Sequence, residues 1–283
     1  MPSEPFEPRE TVAEQPPAEP RPARLIATDL DGTLVHSDGT ITPRTQAALL
    51  AAEQAGIEVV FVTGRPLRWA KDVFDHVGGH GHAIVSNGAL IWDVASSSPY
   101  LVRAIEPTVA VQVADRIRAA VPGTNFAVET LSGIALETGF MERYPVPEGS
   151  RRSSFAEIAD GPVLKILARH EELDPQPFWD AALTVAADLA EITWSSASTL
   201  LEISAHQVTK ASTLAVFAAE RGIGPDQVIA FGDMPNDLPM LEWAGTSYAM
   251  ANAHPSVREV ASHVAGTNDA DGVAEVIELL LDS

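Results

Sequence analysis

Asp29 and Asp31 stand two residues apart where the apolar run Leu25-Ile26-Ala27-Thr28 ends, and Gly32-Thr33 follows them. At a strand's end, residues two apart point to the same side, so both carboxylates can face one ligand. Close carboxylates repel, which raises one pKa unless a cation sits between them. With Mg²⁺ bound there, the first can stay ionised as a nucleophile while the second, partly protonated, acts as an acid and then as a base. An Asp-Gly turn closing a strand is the plainer reading of the same residues.

Three further groups share this character. Thr63-Gly64-Arg65 follows the run Ile57–Val62. A hydroxyl and free backbone N–H groups near a helix start make a cradle for phosphate oxygens, and Arg65 can add charge-assisted bonds. Ordinary loop chemistry also uses these residues. Lys210 opens a helical pattern after Val208-Thr209. A lysine there opposes the helix dipole, so it needs an anion nearby or else points to solvent. Gly232-Asp233-Met234-Pro235-Asn236-Asp237 follows Val228–Phe231. Asp233 and Asp237 offer the hard oxygen ligands that Mg²⁺ takes, and Asn236 can hydrogen-bond without adding charge. A helix cap accounts for Asn236 or Asp237 but not for the whole run.

All four groups fall at the carboxyl ends of predicted strands, where open α/β sheets bind ligands. The elements that position them are read from periodicity. Strands at Leu25–Thr28, Ile57–Val62 and Ala83–Val85 alternate with a helix that Thr42 caps and Pro43 opens, running to about Gln54, and with a second from Pro66 to about Val77. That alternation builds a parallel sheet with right-handed crossovers. After Gly88 the rhythm loosens. Strand-like pieces at Phe126–Glu129, Val163–Ala168, Glu191–Trp194 and Leu200–Ile203 lie among helical patterns at Val109–Ala120 and Phe178–Leu189, as in an inserted α+β domain. The α/β rhythm returns with a helix at Lys210–Glu220, the strand Val228–Phe231, and helices at about Asp237–Trp243 and Gly272–Leu281.

Composition excludes several classes. The chain has 283 residues and no cysteine, so disulfides, a thiolate nucleophile, Fe–S clusters and Cys-ligated zinc are out, and a reducing compartment is expected. Lys+Arg number 18 against 39 Asp+Glu, a net charge of −21 that repels a polyanion and argues against a nucleic-acid partner. A small anionic substrate remains compatible where a metal or a few fixed cations offset the repulsion. Residues 1–22 hold seven prolines and five glutamates and read as an extended tail outside the fold. No run of 18 apolar residues and no signal-peptide pattern is found, so a cytoplasmic protein without a membrane partner is expected. Oligomeric state has no signal here.

Taken in order, Asp29-x-Asp31-Gly-Thr, Thr63-Gly64, Lys210 and Gly232-Asp233-x-x-Asn236-Asp237 resemble the haloacid dehalogenase superfamily of phosphohydrolases. Ser86-Asn87-Gly88-Ala89 and Gly232-Asp233-Met234-Pro235-Asn236-Asp237-Leu238-Pro239-Met240-Leu241 are similar to its Cof-type subgroup with a class IIB cap. The resemblance spans residues 24–281. It implies an α/β fold: a Rossmann-like, doubly wound parallel-sheet core over 23–89 and 204–283, with an α+β cap inserted over 90–203. It also implies a Mg²⁺-dependent phosphatase acting on a small phosphomonoester such as a sugar phosphate. Asp29 would form an aspartyl-phosphate, Asp31 would protonate the leaving oxygen and then activate water, and Thr63 and Lys210 would orient the phosphoryl group. The same resemblance places Gly64, Arg65, Asn87 and Asn236 at the phosphate. The Asp29 carboxylate, the Asp31 carbonyl and Asp233 would hold Mg²⁺, with Asp237 supporting or joining them. The same motifs would serve a phosphotransferase or mutase, or a phosphometabolite-binding module without catalysis. One departure is Ala205-His206-Gln207, where relatives often carry a Pro or Gly turn.

Other features take plainer readings. His76, His80 and His82 fit no metal spacing, and Gly245-Thr246-Ser247-Tyr248-Ala249 lacks the partners of a nucleophile elbow. Gly222-Ile223-Gly224 lacks the third glycine of a dinucleotide fingerprint. Trp69, Trp92, Trp194 and Trp243 read as packing residues, and Arg143, Arg151, Arg152 and Lys165 as surface charges of the cap.

Overall fold

The computed structural model describes residues 22–74, 81–193 and 199–282. Residues 1–21 of the predicted tail, the end of the second helix with His76 and His80, and Trp194 lie outside the described residues.

β1 (Leu25–Thr28), β2 (Glu58–Val62) and β3 (His82–Val85) alternate with α1 (Pro43–Gln54) and α2 (Leu67–Phe74). All of β1 is buried, as a central parallel strand must be. The start of α1 follows its predicted signal: the Thr42 hydroxyl accepts the Thr45 N–H at 3.1 Å and Pro43 needs no partner in the first turn. Two more strands follow, β4 (Leu90–Asp93) and β5 (Ser98–Val102), then α3 (Pro107–Ala120), β6 (Asn125–Thr130), β7 (Gly133–Glu137), β8 (Arg152–Ser153) and α4 (Phe155–Ile158). Next come β9 (Lys165–Arg169), α5 (Pro175–Ala186), β10 (Ala190–Thr193) and β11 (Leu200–Ala205). The chain closes with α6 (Lys210–Glu220), β12 (Val228–Gly232), α7 (Leu238–Trp243), β13 (Thr246–Met250), α8 (Pro255–Val260), β14 (His263–Ala265) and α9 (Gly272–Leu281).

The core sheet has eight strands in the order β14-β13-β12-β1-β2-β3-β4-β5. β1 pairs in parallel with β2 on one side and β12 on the other, Thr28 lying opposite both Phe61 and Phe231. The strand order reverses there, which opens a crevice at the carboxyl ends of those three strands. This is the α/β Rossmann-like core with a cap. No described helix is long and apolar enough to cross a membrane.

The core extends further along the chain than the expected boundary at residue 90. β4 and β5 continue the sheet antiparallel to β3, with Val85 opposite Leu90 and Leu90 opposite Val102. Ser86 and Asn87 adopt left-handed φ values of 52° and 57°, and the chain folds straight back without a crossover helix. The strand–helix alternation that marks the core in sequence therefore stops two strands early. At the return, β11 runs through Ala205, and Gln207 takes the left-handed turn with φ 58° where a glycine is commoner. Its N–H donates to Glu191 at 2.9 Å and its carbonyl accepts the Ser212 hydroxyl at 2.8 Å, so the departure noted at Ala205-His206-Gln207 still closes into a bonded turn.

The cap sheet has six strands in the order β10-β11-β9-β6-β7-β8, antiparallel except between β7 and β8. Alternation along its strands sorts side chains between two faces. Phe126, Val128, Ile166, Ala168 and Ile203 pack with α3, α4 and α5 in one apolar cluster. Lys165, Leu167 and Arg169, in the other register of β9, line cavities shared with core residues.

Candidate active site

Asp29 follows β1, Thr63 follows β2, Asp233 follows β12, and Lys210 is the first residue of α6, so the crevice gathers all four predicted groups. Lys210 Nζ donates to Asp29 Oδ1 at 2.6 Å and to Asp237 Oδ1 at 2.7 Å. All three side chains are buried. Burial opposes the lysine's charge, but Asp237 and Asp29 more than offset it and hold its pKa above the ordinary range. These are the anions that a lysine in a first helical turn requires, and the Thr209 hydroxyl caps the same turn by accepting the Ser212 N–H at 3.0 Å.

Asp237 is committed on both oxygens. Oδ1 accepts from Lys210, and Oδ2 accepts the backbone N–H groups of Asp233 and Met234, each at 3.1 Å. It thus fixes the turn after β12 and the ammonium together. A Cβ on Gly232 would come within 2.6 Å of the Asp237 Cβ, which explains the glycine before Asp233.

One oxygen each of Asp29, Asp233 and Asp237 lie within 4.8 Å of one another, a grouping that can hold a metal ion. The single Lys210 ammonium cannot offset three carboxylates in this buried space, and the excess negative charge is what a divalent cation cancels. Burial raises the Asp29 pKa well above the usual carboxylate range, against the pull of Lys210 and with help from Asp237 and Asp233. Asp233 is pushed up to about 6, by burial first and then by Asp237. The Thr33 hydroxyl steadies Asp233 Oδ1 at 3.0 Å, and Gly32, at φ 79°, leaves Asp233 room that a side chain would take. Hard oxygen donors, excess negative charge and raised carboxylate pKa values all fit Mg²⁺. Asp233→Asn is accordingly expected to raise the melting temperature in EDTA, by removing crowded charge, and to abolish the rise that Mg²⁺ gives the wild-type protein. Thermal melts with and without Mg²⁺ check both signs.

Asp31 stands apart from that carboxylate cluster. Its side chain is paired with Arg65, whose Nε donates at 2.8 Å, and that hydrogen bond is the main cause holding the Arg65 pKa above its usual value. The Arg65 N–H donates to the Thr63 hydroxyl at 3.0 Å, and Asn87 N–H reaches the Thr63 carbonyl at 3.1 Å. Asn87, expected at the phosphate, has its amide nitrogen donating to Glu202 of the cap at 2.8 Å, tying β11 to the core.

Above this floor lies a cavity of about 590 Å³ whose walls include Asp29, Asp31, Thr63, Arg65 and Asn236 from the core and Tyr144 and Glu202 from the cap. Trp69, Tyr144 and Glu202 also line a second cavity of about 230 Å³ that runs into the cap sheet. Lys165 corrects the sequence reading, for it is no surface charge: it is 1% exposed. Its Nζ donates to the Gly64 carbonyl at 2.6 Å and to Glu202 at 2.7 Å, joining the Thr63 loop to the cap. Trp69 is a cavity wall as well as a packing residue, edge-on to Tyr144 at 5.7 Å between ring centres. Arg143, Arg151 and Arg152 are exposed and ion-paired, as expected. His82 packs at 4.9 Å from the Phe217 ring and is not in the cavity. The signal for Lys165, Arg169 and Glu202 was strand alternation: charged residues in one register of β9 and β11 mark the face opposite the helices.

A family model for haloacid dehalogenase-like hydrolases matches residues 26–277. The 5-amino-6-(5-phospho-D-ribitylamino)uracil phosphatase YcsE of Bacillus subtilis is 31% identical over 256 residues, 90% of this chain and 94% of that protein. Among solved structures, SMU.1108c of Streptococcus mutans superposes with a TM-score of 0.81 at 25% identity, covering 92% of this chain and 100% of that one. The subclass IIB sugar phosphatase BT4131 shares the fold, with a TM-score of 0.75 at 21% identity, over 91% of this chain and 98% of its own.

Proposed function

The chain belongs to the haloacid dehalogenase-like hydrolases, and from that premise we propose a Mg²⁺-dependent phosphatase that cleaves small soluble phosphomonoesters through an aspartyl-phosphate on Asp29. The observation that carries this reading is the buried Lys210, held between Asp29 and Asp237 beneath a cavity that the cap completes.

Asp29 attacks phosphorus with a carboxylate oxygen, and the bond from phosphorus to the ester oxygen breaks. Asp31 passes a proton to that oxygen, then accepts one from the water that attacks the aspartyl-phosphate, releasing inorganic phosphate and restoring Asp29. For this Asp31 must leave Arg65, and the incoming phosphoryl oxygens offer the guanidinium a replacement anion. The Thr63 hydroxyl, the Gly64 backbone and Lys210 orient the phosphoryl group, with Asn236 at the cavity wall. Asp29, Asp233 and the Asp31 carbonyl would hold Mg²⁺, which supplies charge neutralisation for the transferring group. Asp237 keeps Lys210 and Asp233 in place. The relatives' names, a ribityl-linked pyrimidine phosphatase and a sugar phosphatase, support a substrate class of phosphorylated polyols, sugars and like metabolites.

Asp31→Asn is expected to slow alkyl phosphates far more than aryl phosphates, since a phenolate leaves without a proton and an alkoxide does not. Equal losses for the two would remove Asp31 from the acid's role. The reading as a whole is tested by inorganic phosphate release from a panel of small esters in Mg²⁺ and in EDTA. Metal-dependent release with water as the only acceptor supports it, and no inorganic phosphate but a new phosphate ester formed on an added acceptor alcohol would make the protein a transferase.

A further inference from the structure

In the smaller cavity nearly every charged side chain has met its counter-charge. Arg68 pairs with Glu129 at 2.9 Å, Lys165 with Glu202 at 2.7 Å, and Arg143 with Glu171 at 3.0 Å. Glu142 pairs with Arg152. Arg169, the last residue of β9, is the exception among the described residues lining this space. It is 3% exposed, and its Nε and Nη1 have no hydrogen-bond partner. Its guanidinium lies 5.5 Å from the centre of the Phe140 ring, which satisfies none of those N–H groups. Burial and the nearby Arg143 push its pKa down, against a smaller pull from Glu171 and Tyr144, so on balance the surroundings disfavour the charge. A buried guanidinium left in that condition weakens the fold unless a ligand completes it.

Its position says which part of a ligand that is. Asp29, Asp31 and Thr63, which handle the phosphoryl group, line the larger cavity, whereas Arg169 lines only the smaller one. Trp69, Tyr144 and Glu202 border both, so the two cavities adjoin there, and the end of a substrate remote from Asp29 lies on the side toward Arg169. We propose that Arg169 is a specificity-determining residue that donates Nε–H and Nη1–H to an anionic or carbonyl oxygen at the end of the substrate remote from the phosphoryl group. The inference rests on the phosphatase reading above and narrows its substrate class to esters bearing such an oxygen. Short esters without one do not engage it.

Two matched pairs test this. 6-Phosphogluconate and glucitol 6-phosphate differ by a terminal carboxylate; flavin mononucleotide and ribitol 5-phosphate differ by a ring with carbonyl oxygens. In at least one pair the wild-type enzyme is expected to favour the oxygen-bearing member by about 10- to 100-fold in kcat/KM, mostly through KM, the range for charge-assisted hydrogen bonds. The pair that responds tells a carboxylate from a ring carbonyl. Arg169→Met, similar in volume, is expected to bring that ratio toward one, and Arg169→Lys to restore part of it. Because the guanidinium is unpartnered, the Met variant should melt at or above the wild-type temperature, which separates lost recognition from misfolding. No preference in either pair, or an equal loss for both members in Arg169→Met, overturns the assignment. Were no ester turned over at all, the phosphatase reading would fail by itself. Calorimetric binding of the same pairs to wild type and Arg169→Met would then still read the preference.

Discussion

Replacing Lys210 by Met is expected to abolish turnover and weaken the fold in one step. The side chain is 2% exposed and holds Asp29 at 2.6 Å and Asp237 at 2.7 Å. Removing it leaves buried carboxylates facing one another without a cation, the situation in which breaking a buried ion pair costs about 3–5 kcal/mol. Phosphate release should fall by at least about 10³-fold, because the lost ammonium orients Asp29 and, in the proposed mechanism, offsets the charge of the transferring group. The two effects come apart in a double variant. Lys210→Met with Asp237→Asn removes one of the stranded charges and should recover part of the stability while leaving activity lost. Denaturant titration and steady-state rates on the three proteins measure this. A Lys210→Met enzyme with wild-type turnover would take Lys210 out of the site.

Asp29→Asn is the second large effect, with the opposite sign for stability. The amide keeps the size of the carboxylate and one acceptor oxygen for Lys210, and it removes a charge that burial and two neighbouring aspartates already disfavour. The fold should therefore hold or gain stability while turnover drops by at least about 10⁴-fold, as when a covalent nucleophile is lost. That divergence marks a group kept for reaction rather than for folding. Rate measurements at saturating substrate beside thermal melts decide it. A variant retaining a tenth of wild-type activity would mean that water attacks phosphorus directly, with another residue activating it.

The floor of the site was legible because of a local rule: each of its groups ends an apolar strand or opens a helix. Asp29 after Leu25–Thr28, Asp233 after Val228–Gly232 and Lys210 after the Thr209 cap can each be read from a dozen neighbouring residues. The roof was not legible, since it depends on which face of a distant sheet turns toward the core. Lys165 and Glu202 lie 37 positions apart in the chain and meet only because β9 and β11 are neighbours in the cap sheet. Lys165 looked like a surface charge when its strand was read alone, and Glu202 carried no reading at all. β4 and β5 escaped for another reason: an antiparallel hairpin at a sheet edge needs no crossover helix, so it leaves no α/β rhythm to read. Asn87 was read toward the phosphate, and its bond to Glu202 between core and cap depends on the same distant sheet.

The most direct test of the account is to find the phosphoryl group on the enzyme. The protein is mixed with an ester that it turns over in Mg²⁺, quenched in acid within the first turnovers, treated with hydroxylamine and digested for mass spectrometry. A hydroxamate is expected at Asp29, formed only with substrate and metal present and absent from Asp29→Asn. Phosphate release at full rate with Asp29 unmodified, or with the adduct on another residue, would contradict it.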